Sequence, residues 1–214
     1  GVVGAWAGVR RLVRLHGSDS MSDFSRRLSL VEGSGGMLTI TGGKLTTYRR
    51  MAKDVVDRIC DKDGKKSRCR TDEIPLSGTR PVPELLAANT ARATELGLSP
   101  EVADNLVRQC GESAAHVLSL VAHDPALGAQ LSPHSPHIAA EVVHAARSEG
   151  AATLEDVFSR RMRLSLRAKD AGLPAATLAA ALLARETGRD QQWQRATIEA
   201  YVTEVRQERG VLGL

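Results

Sequence analysis

The rhythm of apolar and polar positions changes near residue 61. Before it, short runs carry the two-residue period of strands. Val2 to Val9 alternates small and apolar side chains and reads as a strand. His16–Asp23 (HGSDSMSD) is polar throughout and reads as a loop. Phe24–Glu32 has strand character, Gly33–Gly36 (GSGG) is a turn, and Met37–Thr41 (MLTIT) is a short strand with β-branched residues. Gly42-Gly43-Lys44 then turns the chain, and Thr46 or Thr47 is expected to cap a helix running to about Asp61. Tyr48, Met51, Ala52, Val55, Val56 and Ile59 fall on one face of that helix.

Asp61–Gly78 (DKDGKKSRCRTDEIPLSG) is polar and charged, with Gly64 and Pro75, and marks a boundary. We therefore divide the chain into residues 1–61, a linker at 62–78 and a domain at 79–214. The last part reads as helices over Pro81–Gly97, Pro100–Gln109, Glu112–Ala122, Pro136–Glu149, Thr153–Lys169, Pro174–Glu186 and Gln191–Gln207. Prolines 83, 100, 136 and 174 stand near helix starts, where a missing N–H costs nothing. Glycines 97, 111, 150 and 188 stand at or near helix ends. Thr153-Leu-Glu-Asp156 resembles a capping box. The expected fold class is mainly α: a C-terminal helical domain of about six to seven helices plus a small α/β part.

Composition changes this picture little. With 214 residues, 42% hydrophobic and 25% charged, the chain has the make-up of a globular protein with a real core. Aromatics are only 3%, so cores must be built from Leu, Val, Ile and Ala. A net charge of +4 suits an anionic ligand, nucleic acid or membrane surface without requiring one. Cys60, Cys69 and Cys110 form no metal spacing and read as reduced thiols of a cytoplasmic protein. No stretch approaches the ~20 apolar residues that cross a bilayer. The opening GVVGAWAGVRRLV reads like the inside of a domain, which suggests a fragment.

Four groups of residues are candidates for chemistry. In Gly42-Gly43-Lys44-Leu45-Thr46-Thr47, glycines let backbone N–H groups face a ligand, the helix start adds a positive dipole end, and the lysine adds a full charge. A plain strand-to-helix turn with Lys44 in solvent is the alternative, and GxxxxGK[ST] is absent. Arg10 and Arg26 stand near strand ends, where their forks suit phosphate oxygens; surface charge is the alternative. Ser159–Lys169 (SRRMRLSLRAK) holds five basic residues, and Phe158, Met162, Leu164 and Leu166 cannot share one narrow helical face with all of them. A structural ion-pair network with Glu141, Glu149, Glu155 or Asp156 is favoured over a nucleic-acid surface, and the scarcity of aromatics argues against stacking on single strands. His134-x-x-His137 and His144 lack an HExxH or Cys-rich context, so no metal is expected. His116 and His123 read as packing or surface groups.

The motifs Trp6–Leu12 (WAGVRRL), Phe24–Leu30 (FSRRLSL) and Met37–Asp57 (MLTITGGKLTTYRRMAKDVVD) resemble the end of the catalytic part of FAD-dependent, quinone-linked glycerol-3-phosphate dehydrogenases. Ile74–Gly78 (IPLSG) stands where that family has an LPG segment, and Glu141–Leu166 (EVVHAARSEGAATLEDVFSRRMRLSL) resembles its helical C-terminal domain. His144 stands where the family usually has Tyr and Met162 where it has Thr; Arg11 replaces a proline. The family's GxGxxG dinucleotide fingerprint is missing from these residues.

The resemblance implies a two-part flavoprotein, with this chain supplying the last strand-and-helix portion of the FAD domain and the whole helical cap. It implies oxidation of glycerol 3-phosphate to dihydroxyacetone phosphate, with hydride passing to FAD and electrons leaving to quinone. It assigns Arg10 and Arg26 to the substrate, Lys44 to catalysis beside the flavin, and Gly42, Gly43, Lys44, Leu45 and Thr46 to the cofactor. Peripheral membrane contact at the inner face of the cell membrane, a homodimer and no nucleic-acid partner complete the expectation, and the fragment alone is expected to be inactive. A free-standing basic helical interaction or nucleic-acid-binding module is the other reading.

Overall fold

The computed structural model describes residues 8, 13–14, 24–25, 28–66, 68–76, 78 and 80–212. The chain divides into two compact units, Ala7–Leu76 and Ser77–Leu214. Among the described residues the molecule is mainly α, with three two-stranded antiparallel sheets.

In the first unit, β1 (Val13–Arg14) pairs with β2 (Phe24–Ser25). β3 (Ser29–Glu32) and β4 (Leu38–Thr41) form the hairpin expected from the GSGG turn, with Leu30 opposite Ile40 and Glu32 opposite Leu38. Its turn is closed by Gly36 N–H to the Gly33 carbonyl at 2.9 Å. The hairpin is tied to α1 (Tyr48–Lys62) by charge: Glu32 accepts from Arg58 at 2.8 Å and from Lys62 at 2.7 Å. Bonds from Lys62 and Arg58 hold the Glu32 carboxyl below its usual range. The apolar face of α1 has no buried residue; Tyr48, Val56 and Ile59 are exposed.

The second unit holds the core. α2 (Val82–Glu95), α3 (Pro100–Cys110), α4 (Ala114–His123), α5 (Ala139–Ser148), α6 (Leu164–Arg167), α7 (Ala176–Thr187) and α8 (Gln191–Leu212) follow in order. α2 packs on α3, α5 on α7 and α7 on α8. α5 is buried at every position from Ala139 to Ala145, so it is the central helix. α7 presents Ala176, Ala179, Ala180 and Ala184, whose small side chains allow close approach. Leu106, Leu118, Leu154, Phe158, Leu164, Leu183 and Tyr201 are fully buried. Pro100 sits at the start of α3, and the Ser99 hydroxyl accepts from Val102 N–H. Gly97, Gly111, Gly150 and Gly188 all take positive φ, 55–72°, at or near helix ends.

Two helix assignments need correction. Pro136–Ile138 is not the first turn of α5. It belongs to β6 (Ser135–Ile138), which pairs with β5 (Gln130–Ser132). α5 starts at Ala139, and the Glu141 carboxylate accepts the Ile138 N–H at 2.9 Å. Thr153–Lys169 is not one helix either. Thr153 and Asp156 do form the expected capping box: Asp156 accepts from Thr153 N–H at 3.0 Å and Thr153 Oγ1 accepts from Asp156 N–H at 3.1 Å. The chain then widens into a π-helix over Asp156–Arg161, with Met162 N–H reaching the Val157 carbonyl at 2.9 Å. It breaks at Arg163, φ 59°, before the single turn of α6. The widened turn buries Val157, Phe158 and Met162, and the break lets Leu164 be buried as well.

Candidate functional site

The glycine–lysine segment leaves β4 and enters α1 through two successive left-handed residues, Gly42 (φ 74°) and Gly43 (φ 77°). That conformation costs an L-residue with a Cβ roughly 1–2 kcal/mol, which explains the pair of glycines. A Cβ at Gly43 would also lie 2.5 Å from Met51 Sδ. Lys44 is extended, and Leu45–Thr47 forms a 3-10 turn ahead of α1. Thr47 occupies the N-cap position of α1, but its hydroxyl turns back: it accepts the Lys44 N–H at 3.2 Å and donates to the Lys44 carbonyl at 2.9 Å. The threonine thus closes the loop rather than capping the helix. Lys44, Leu45 and Thr46 are exposed, Leu45 at 89%. The loop offers an ammonium, the first N–H donors of a helical turn and an uncovered leucine on one corner. Arg10 and Arg26 lie outside the described residues.

In the second unit the arginine run does what the ion-pair reading expects. Arg160 pairs with Glu155 and Asp156, and Arg161 Nε lies 3.3 Å from Glu149 Oε2. Arg147 clamps Glu186 with bonds of 2.6 and 3.1 Å, which lower the Glu186 pKa. His137 and Glu141, both buried, meet at 2.7 Å. They stand four residues apart, a spacing that brings side chains together on a helix. His144 is buried, with its ring 5.6 Å from that of His116 and its Nε2 3.8 Å from Glu149 Oε1. Burial lowers its pKa, against the opposing pull of Glu149.

Residues 69–194 match the sequence profile of the C-terminal domain of alpha-glycerophosphate oxidase. The chain belongs to this family. It is 32% identical to the probable mitochondrial glycerol-3-phosphate dehydrogenase of Caenorhabditis elegans over 98% of this chain and 29% of that protein. It is 30% identical to glycerol-3-phosphate dehydrogenase 2 of Mycobacterium tuberculosis over 93% of this chain and 33% of that protein. With the aerobic glycerol-3-phosphate dehydrogenase of Bacillus subtilis the identity is 32% over 73% of this chain and 30% of that protein. The chain therefore spans about a third of the length of these relatives. Among solved structures, the glycerol-3-phosphate dehydrogenase of Bacillus halodurans, determined with FAD, has the same fold over 83% of this chain and 37% of its own. The TM-score is 0.70 at 23% identity. The mainly helical C-terminal architecture inferred for this alpha-glycerophosphate oxidase C-terminal domain thus has a solved counterpart. In the described residues of this family member, no helix is long and apolar enough to cross a membrane.

Proposed function

We propose that this chain is the C-terminal part of an FAD-dependent dehydrogenase that oxidises glycerol 3-phosphate to dihydroxyacetone phosphate and passes electrons to a quinone. The observation that carries the reading is the Gly42–Thr47 corner. Two left-handed glycines, an exposed Lys44 and the N-terminal N–H groups of a helical turn converge there. These groups fit an electron-rich ring edge, since they supply donors and positive charge without bulk. Backbone at Gly42, Gly43, Leu45 and Thr46 would line the flavin, and Lys44 would stand at its N1/O2 edge. When bound, the flavin supplies the hydride acceptor. The Lys44 ammonium would oppose negative charge that develops on the neighbouring oxygen atoms. Arg10 and Arg26 would hold the substrate phosphate or hydroxyls through charge-assisted bonds.

In this reading the polypeptide works on the cytoplasmic side, in peripheral contact with the membrane that holds its quinone, as a homodimer and without nucleic acid. The 214 residues alone are inactive because this corner is one wall of the site. The helical unit acts as a structural cap, and residues 62–78 link it to the flavin part.

The test compares Lys44→Ala with Lys53→Ala in the longer flavoprotein. Lys53 lies on α1 and pairs with Asp57. Loss of Lys44 is expected to lower turnover with glycerol 3-phosphate, or bound flavin absorbance, by about tenfold or more, as for a removed charge-stabilising donor. Lys53→Ala is expected to leave both within twofold of the parent, a difference of about 0.4 kcal/mol. Equal effects of the two changes remove the role given to Lys44.

A further inference from the structure

A cavity in the helical unit has chemistry that the flavin reading does not use. It encloses about 240 Å³, where a single water needs about 10–15 Å³. Its walls come from the end of α3 (Gln109, Cys110), from α5 (Glu141, His144), from Glu149 beyond α5, and from Arg160–Arg163 at the π-helix end. His144 is 5% exposed, and its Nδ1 has no hydrogen-bond partner. A buried ring nitrogen without a partner is costly, so a group entering this cavity has a polar contact to gain.

Most charged groups around the cavity already have partners. Glu141 is occupied by His137 at 2.7 Å and by Ile138 N–H at 2.9 Å. Glu149 is taken by Arg161, and Arg160 by Glu155 and Asp156. Arg161 also donates to the Asp156 carbonyl at 2.8 Å. Arg163 is left: among the described residues it has no acidic partner, and it is exposed at the rim. It sits at φ 59°, ψ 29°, a conformation that glycine or asparagine takes more readily than arginine. Cys110 does not oppose an anion, because burial, with Glu141 and Glu149 nearby, pushes its thiol up to about 12.

We propose that this cavity binds a small tetrahedral oxyanion, inorganic phosphate or the phosphate of a small monoester, through Arg163, with Gln109 and the His144 ring as neutral hydrogen-bonding partners. A guanidinium fork suits phosphate oxygens, and the cavity is large enough for phosphate or a few-carbon ester.

The test titrates the 214-residue chain by calorimetry and thermal shift with sodium phosphate, and separately with glycerol 3-phosphate, at constant ionic strength. Saturable binding of at least one probe is expected. Arg163→Gln and His144→Phe should each weaken it by about tenfold. Arg167→Gln, a basic change outside this cavity, should leave it within twofold, about 0.4 kcal/mol. Arg163→Gly should weaken binding at least as much while its Tm is no lower than the parent's, which separates loss of the site from loss of the fold. Comparable affinities for the two probes identify phosphate as sufficient. A preference of about tenfold for glycerol 3-phosphate identifies the ester. No saturation by either probe, or equal loss in Arg163→Gln and Arg167→Gln, overturns the proposal.

Discussion

Replacing Tyr201 by Phe tests how the corner beneath the arginine run is held. Tyr201 comes from the middle of α8 and is 1% exposed. Its hydroxyl donates to the Ala171 carbonyl at 2.6 Å. Ala171 is itself wholly buried and left-handed, φ 53°, and Gly172 after it is left-handed too. The Tyr201 ring meets Phe158 edge-on, 5.4 Å between centroids, and Phe158 lies in the π-helix that carries Arg160 and Arg161. The hydroxyl therefore pins an unfavourable backbone conformation, while the ring supports the π turn.

Removing only the oxygen keeps the ring contact and strands a buried carbonyl. A stranded buried acceptor costs about 1–3 kcal/mol, and the phenol's own relieved desolvation offsets part of that. The expected loss is about 1–2 kcal/mol, or roughly 3–5 °C in Tm per kcal/mol for a unit of this size. Tyr201→Ala also removes the ring and should cost about 3–5 kcal/mol. Urea unfolding followed by circular dichroism measures both, with unchanged m values as the check that the native state is intact. A Phe variant as stable as the parent to within about 0.3 kcal/mol would refute the pinning role, since typical hydrogen-bond contributions are larger.

Two further outcomes follow from the ionisation of partly buried groups. Burial, with Glu155 and Glu208 nearby, raises the Glu204 pKa above its usual 4.5. A carboxyl raised on folding favours the native state only below its unfolded pKa and opposes it as pH rises, so Glu204→Gln should raise Tm at pH 7. The gain should vanish below about pH 4.5, and thermal melts across pH 4–7 measure it. The Cys110 thiol, raised from 9.0 to about 12, keeps its proton in the folded chain while the unfolded chain loses it. Stability should therefore fall above pH 9 by about 1 kcal/mol per pH unit, and Cys110→Ala should abolish that part of the slope in urea titrations between pH 8 and 10.5.

Local chemistry made much of the helical unit legible. Ser99-Pro100 starts a helix because proline presets φ and serine accepts an orphan N–H, and both act within one turn. The glycines at 97, 111, 150 and 188 signal helix ends because positive φ is cheap for them. The β5–β6 hairpin was missed because Pro136 is equally at home at a helix start and on a short edge strand. Only its pairing with Gln130–Ser132 decides between them. The break at Arg163 was not legible: that Phe158, Met162, Leu164 and Leu166 cannot share one narrow face with the five basic residues pointed to ion pairs, and the π turn and left-handed residue depend on how these side chains pack. The Gly42–Thr47 loop was legible as a corner, and Thr47 differed only in the direction of its hydroxyl. The burial of His144 was not, because it depends on how α3, α5 and the π turn meet.

The two units hold their candidate sites in different ways. The helical unit presents its cavity from a packed core: His144 and Met162 are buried, and Arg160 pairs with Asp156, whose carboxylate accepts from Thr153 N–H. A change in that core should reach the cavity, because packed interiors transmit strain. The loop unit has no such support, since α1 buries no residue and its ties to the hairpin are exposed ion pairs at Glu32. Exposed pairs contribute about 0–1 kcal/mol each. The shape of the Gly42–Thr47 corner therefore rests on bonds within itself: two left-handed glycines and the paired contacts between Thr47 and Lys44. Such a corner keeps its donors aimed without help from a core. It also leaves Leu45 and the apolar stripe of Tyr48, Val56 and Ile59 exposed.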